Sequence, residues 1–153
     1  MSAAPLVFVD TSVLILSEDG ARPGEQALVL AWLRELWQRR AGRVSTQVLN
    51  DFYRLVTTRL QPAMPNGDAR AEVRRYQRWQ PWAIDHATVE SAWSIESRFG
   101  LAYMDALVVA AAKAQGCEAL LSLELAHGLQ LDSVQILNPL QAAPETLFGA
   151  GKT

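Results

Sequence analysis

Four carboxylates stand where an α/β protein would place its chemistry: Asp10, Asp51, Asp105 and Glu124. Asp10 follows the apolar run Leu6-Val7-Phe8-Val9 and precedes two hydroxyl side chains, Thr11 and Ser12. Such a run reads as a strand buried on both faces, and ligands of open α/β sheets sit just outside the carboxyl ends of such strands. Glu124 closes Leu120-Leu121-Ser122-Leu123-Glu124 in the same way, with a hydroxyl two residues earlier. Asp105 lies in the first turn of Tyr103–Lys113, a helix with no charge between its Asp and its Lys and so buried all round. Asp51 sits close to the apolar face formed by Val48, Leu49, Phe52, Leu55 and Val56. Any one of these acids is also what a helix cap or a solvated side chain looks like. The four together, two at strand ends and two on helices, are expected to converge over one sheet edge.

Two carboxylates ~4 Å apart repel by about 4 kcal/mol at an effective dielectric near 20. A convergent set is therefore partly protonated or shares a divalent cation. All-oxygen ligands, without His or Cys, select Mg²⁺ or Mn²⁺ over zinc. The chemistry such a site supports is hydrolysis of a phosphodiester by an activated water.

The elements that would position these acids are legible in order. A short helix follows the first strand and ends in Ser17-Glu18-Asp19-Gly20; a longer one starts near Glu25, after Pro23-Gly24, and runs to about Arg40, with Gly42 as its stop. Arg43–Thr46 is briefly extended, and Ser45 or Thr46 caps a helix reaching about Leu60. A third long helix is predicted over Asp68–Gln80, a short strand at Trp82–Ile84, and an Asp85-capped helix stopped by Gly100. After the Tyr103–Gln115 helix come strands at Glu118–Ser122 and Val134–Leu137. Strands alternating with helices predict a parallel sheet covered on both sides.

At 153 residues the chain fits one domain. A net charge of −2 supplies no global attraction for nucleic acid, so any such contact must be local. The lone cysteine, Cys117, forms no internal disulfide and fits a reducing, cytoplasmic setting. No basic segment leads into an apolar core at the N-terminus, and apolar runs such as Ala106–Ala112 are too short for a bilayer, so a signal peptide and membrane insertion are not expected.

Four stretches carry a family likeness. Val9-Asp10-Thr11-Ser12-Val13-Leu14, Ser45 to Tyr53, Tyr103-Met104-Asp105-Ala106-Leu107, and Leu121-Ser122-Leu123-Glu124 with His127-Gly128 resemble the PIN domain, most of all the VapC-like toxins of bacterial toxin–antitoxin pairs. The likeness runs from about residue 6 to Pro139. It implies a PIN-like three-layer α/β/α sandwich over residues 1–140, with a central parallel sheet of 4–5 strands and a C-terminal tail from 141 to 153. It also implies an endoribonuclease dependent on Mg²⁺ or Mn²⁺, an RNA substrate, a small antitoxin partner and a homodimer. Asp10, Asp51, Asp105 and Glu124 would be catalytic, the first, third and fourth as metal ligands, with Thr11, Ser12, Ser45 and Ser122 in support. Two positions depart from the family pattern: Asp51 replaces a usual Glu, and Ser122-Leu123-Glu124 replaces Ser-Glu-Asp. One acid is a methylene short and the other a methylene long, so an altered or weakened nuclease, or a binding protein without activity, is the alternative. A phosphatase with Asp10 as nucleophile, in the manner of the haloacid dehalogenases, would want a second Asp where Ser12 stands.

Other signals are less specific. Arg70, Arg74 and Arg78 fall on one helical face that is either solvated or able to hold RNA phosphates or an acidic segment of a partner. Trp79 and Trp82 beside them are expected to pack; His86 and His127 lack ligand spacing; Cys117 reads as an inert buried thiol. The end Gly149-Ala150-Gly151-Lys152-Thr153 imitates a phosphate loop but has no following helix, and is read as a frayed terminus.

Overall fold

The computed structural model describes residues 4–149. Strand β1 (Val7–Val9) leads into α1 (Thr11–Leu16) and α2 (Pro23–Arg39), then β2 (Gly42–Arg43), α3 (Thr46–Thr58) and α4 (Asn66–Arg75). A 3₁₀ turn (Tyr76–Trp79) joins α4 to α5 (His86–Phe99) and α6 (Tyr103–Ala114). Strands β3 (Ala119–Leu121), β4 (Gln130–Leu131) and β5 (Val134–Leu137) and helix α7 (Glu145–Phe148) complete the described chain. The five strands form one sheet in the order β2-β1-β3-β5-β4, parallel throughout except for β4, which pairs antiparallel with β5 at one edge. With helices flanking it, this is the α/β/α arrangement that the strand–helix alternation predicted.

The uninterrupted apolar runs behave as their composition requires. All of β1 and β3 is buried, and α6 buries every residue from Ala106 to Ala112. The caps are also where the sequence places them. Ser45 Oγ accepts the Val48 N–H at 3.2 Å, Asp85 accepts the Thr88 N–H at 2.9 Å, and Gly100 closes α5 in the left-handed region.

Four local readings give way to tertiary packing. The helix predicted over Asp68–Gln80 stops at Arg75, and the 3₁₀ turn takes over. Three residues per turn place Tyr76 and Trp79 above one another, and both rings reach Trp37, at 5.4 and 4.9 Å. The Trp82–Ile84 strand shrinks to one bridge between Ser45 and Trp82. Strand β3 ends at Leu121, leaving Glu124 in the bend beyond it. Lastly, α2 is closed by Arg40 itself in the left-handed conformation (φ 55°), while Gly42 enters β2.

Gly42 is a glycine because of Trp79. A Cβ on residue 42 would stand 2.6 Å from the indole, which is boxed in by Trp37 and Tyr76. Gly42→Ala is expected to cost roughly 1–3 kcal/mol through overpacking, lowering the melting temperature by several degrees in a thermal melt.

Beyond residue 140 the chain is packed as far as Phe148. The Trp32 indole donates to the Ala142 carbonyl at 2.7 Å, and the Phe148 ring lies 6.3 Å from Trp32 with the Arg39 guanidinium over it. Of the terminus read as frayed, Ala150 to Thr153 lie outside the described residues. Among the described residues no helix is long and apolar enough to cross a membrane.

Candidate functional site

From β1 the sheet grows one way to β2 and the other way to β3, so the carboxyl ends of β1 and β3 flank a topological switch point, where open α/β sheets leave a crevice. Asp10 is there, as the N-cap of α1. Its Oδ1 accepts the Thr11 N–H at 2.8 Å and its Oδ2 accepts the Ser122 hydroxyl at 2.9 Å. The Ser122 oxygen in turn accepts the N–H groups of Glu124 (3.0 Å) and Leu125 (3.1 Å), while Ser12 Oγ accepts that of Leu123 (3.1 Å). Two serines thus tie the end of β1 to the bend after β3, and that bend brings Glu124 to the crevice.

The crevice is a cleft of about 240 Å³ lined by all four predicted carboxylates, with Thr11 and Ser12 beside them. Asp10 and Glu124 come from the strand ends, Asp105 from the first turn of α6, and Asp51 from the second turn of α3. Ser122 and Ser45 are fully buried and do not line the cleft; Ser122 lies under Asp10, and Ser45 caps the helix that carries Asp51. Although the acids share one cleft, no three of them stand close enough, among the described residues, to form a ready-made metal cage. The repulsion expected of carboxylates in contact is correspondingly eased.

Asp10 nevertheless carries an electrostatic load. Burial pushes its pKa up, the hydrogen bonds from Ser122 and Thr11 pull it back, and the charges of Asp105 and Glu124 push again, to about 6. Asp105, half-buried, is also raised, by desolvation alone. Asp51 is instead paired with Arg54, 3.7 Å away and one turn along the helix.

Two polar lining residues, Gln47 and Arg54, lie outside the set the sequence suggests. Gln47, Asp51 and Arg54 are spaced i, i+4, i+7 on α3, and that shared face was the available signal. Gln47 Nε2 donates to the Met104 carbonyl at 3.1 Å, holding the Asp51 helix against the turn that bears Asp105. The histidines lie elsewhere: His86 faces Glu90, and His127 Nδ1 accepts the Asn138 N–H. Burial pushes the Cys117 thiol up to about 12, as an inert core thiol requires.

A family model described as "PIN domain" matches residues 7–126, a span that includes all four acids. The chain belongs to the PIN domain family. As a PIN domain it shares its fold with the crystal structure of Mycobacterium tuberculosis VapC20, a sarcin-ricin loop cleaving toxin, at 20% identity and a TM-score of 0.56, covering 74% of this chain and 86% of that one. It also resembles the crystal structure of FitAcB from Neisseria gonorrhoeae, at 17% identity and a TM-score of 0.58, covering 90% of this chain and 100% of that one. No curated protein matches it in sequence.

The donor set of this PIN domain fits a hard divalent ion. Carboxylates are the acids of the cleft, no His or Cys joins them, and Asp10 is held from both sides by donors that leave lone pairs free. An open arrangement suits Mg²⁺, which keeps several of its waters and takes one or two carboxylates directly.

Proposed function

We propose that this PIN domain is the toxin of a type II toxin–antitoxin pair, an endoribonuclease dependent on Mg²⁺ or Mn²⁺ that hydrolyses RNA phosphodiesters. The observation that carries the reading is the gathering of Asp10, Asp51, Asp105 and Glu124 in one cleft at the switch point of the sheet. Asp10, Asp105 and Glu124 are the residues that would hold the ion. Bound there, it supplies positive charge and lowers the pKa of a water. Ser122 and Thr11 fix the direction of the Asp10 carboxylate, and Ser12 braces the bend that carries Glu124. Arg54, more than half exposed at the rim, offers a cation to the phosphate of an arriving strand while paired with Asp51. Hydrolysis forms a bond from the water oxygen to phosphorus, breaks the phosphorus bond to the leaving oxygen, and returns a proton to that oxygen.

The remaining assignments follow from the same likeness: a small antitoxin as inhibitor, a homodimer as assembly, and the cytoplasm as setting, the last in keeping with the single buried thiol. The second reading, a PIN-fold binding protein with little or no nuclease activity, draws on the shortened Asp51, the lengthened Glu124 and the lack of a preformed cage.

Cleavage of a single-stranded RNA should require Mg²⁺ or Mn²⁺, stop in chelator and be lost in Asp105→Asn. Saturating Mn²⁺ should raise the melting temperature of the wild type, since a ligand at 100 times its Kd adds about 2.7 kcal/mol, and leave Asp105→Asn unmoved. Cleavage that survives chelator or the Asn variant rules the nuclease reading out. A melt indifferent to Mn²⁺, with tight binding of a small protein partner, supports the second.

A further inference from the structure

Beside edge strand β2 lies a second pocket whose chemistry is opposite to that of the cleft. It measures about 630 Å³ and is lined by Trp37, Arg40, Arg43, Arg78, Trp79 and Gln80, none of which reaches the carboxylate cleft. Three guanidinium groups face no acid in its wall, and none of the three is ion-paired among the described residues. Arg43 is held in place by bonds from Nη1 to the carbonyls of Arg40 and Gly42, at 3.3 and 2.7 Å. Arg78 joins the pocket because α4 gives way to the 3₁₀ turn, which takes it off the helical face of Arg70 and Arg74.

A further observation points to a ligand. The rings of Trp37 and Trp79, 4.9 Å apart, stand side by side in the wall among the arginines. Arg40 and Gln80 are also two of the three non-glycine residues in the left-handed region among the described residues, a conformation glycine adopts at less cost. Helix-dipole compensation accounts for a cation at the end of α2, but not for Arg43 on β2 or Arg78 on the 3₁₀ turn.

We propose that this pocket binds the phosphate of a nucleotide, either free or as a unit of an RNA strand. Three guanidinium forks suit the several oxygens of a phosphate, and basic groups interleaved with aromatic rings suit a nucleotide. The volume lies within the roughly 300–1,000 Å³ of small-molecule sites and exceeds the needs of a lone carboxylate. The RNA arm of the proposal rests on the nuclease reading; the free-nucleotide arm does not.

The test is made on the full chain in chelator, so that no cleavage is needed. Tryptophan fluorescence is followed on titration with 5′-AMP, and fluorescence anisotropy with a labelled ten-residue 2′-O-methyl oligoribonucleotide. Arg43→Gln/Arg78→Gln should weaken binding roughly tenfold or more through the loss of charge-assisted bonds, and should flatten the oligonucleotide's salt slope by about 1.4, the share of two phosphate contacts on a single strand. Arg34→Gln, at an exposed position of α2 outside both pockets, should bind both probes as the wild type does. Binding of the oligonucleotide alone assigns the pocket to an RNA strand, and binding of AMP alone to a free nucleotide. If the double variant fails to fold, Arg40→Gln, at an exposed position, is held to the same tenfold criterion. Equal affinity in wild type and Arg variants overturns the proposal. So does binding of neither probe, or an octaglutamate peptide that binds as tightly as the oligonucleotide with the same arginine dependence. Loss of RNA cleavage elsewhere would not alter the AMP result, so the two readings fail separately.

Discussion

Asp10→Asn is expected to abolish RNA cleavage and, at the same time, to stabilise the metal-free protein near neutral pH. On the proposed reading, removing this charge takes away both an ion ligand and the best-held acid of the cleft. A loss of several kcal/mol of transition-state stabilisation, about 4, corresponds to roughly a thousandfold in rate. The stability effect has the opposite sign because Asp10 is a carboxylate the fold would rather keep neutral. Its pKa is about 6 in the folded chain against 3.8 for an ordinary Asp, with burial as the largest cause. Between those values the native state binds more protons than the unfolded state. The contribution of Asp10 to stability is therefore greatest below about pH 4, falls as pH rises through 6, and above that is a cost of about 3 kcal/mol. Asn has the same shape without the charge. It can still accept from Thr11, but its amide N–H meets a Ser122 oxygen already accepting two bonds, so part of the gain is returned. A net rise of a few degrees in melting temperature at pH 7–8 is expected, with melts in chelator from pH 4 to 8 as the measurement. The fall across pH 4–6 should be steeper in the wild type than in the variant, which keeps the raised Asp105 carboxyl. A wild-type profile that stays flat would sink the electrostatic picture of the cleft.

Ser122→Ala should produce the second-largest effect. Its hydroxyl, fully buried, makes three bonds, donating to Asp10 and accepting from Glu124 and Leu125. Removing it strands two N–H groups in the bend and costs roughly 2–3 kcal/mol of stability, by urea or thermal unfolding. It also deletes the strongest influence holding the Asp10 pKa down. Activity should fall about 10- to 100-fold, as when the partner of a metal ligand is removed. The acid limb of the pH–rate profile should move to higher pH. A variant that is less stable but keeps the wild-type acid limb would mean that Ser122 braces the bend without tuning Asp10.

The two predictions rest on different layers of information. That Asp10 ends a buried strand, that Asp105 opens an all-apolar helix, and that Ser45 and Asp85 cap theirs could be read from the chain alone. Burial of both faces of a strand, or of every side of a helix, leaves an unbroken apolar run, and a cap is chosen by residues within a few positions of it. The order of strands and helices, and with it the fold, is legible for the same reason. Asp10, Asp105 and Glu124 stand out at the ends of such runs, and Asp51 beside an apolar helical face, although each alone could be a cap or a solvated side chain.

Tertiary structure decided whatever depends on groups far apart in sequence. Nothing near Gly42 marks it as the seat of Trp79, and helical periodicity over Asp68–Gln80 does not reveal that packing on Trp37 will tighten its last turn. Glu124 is set in a bend and not on a strand by a serine that answers to Asp10, 112 residues away. Gln47 and Arg54 join the cleft because α3 is held against α6, and the arginine–tryptophan pocket draws together α2, β2 and the 3₁₀ turn. Local sequence carries the energetics of single elements; charges and rings that meet across elements acquire their pKa values, strain and partners only when the chain closes on itself.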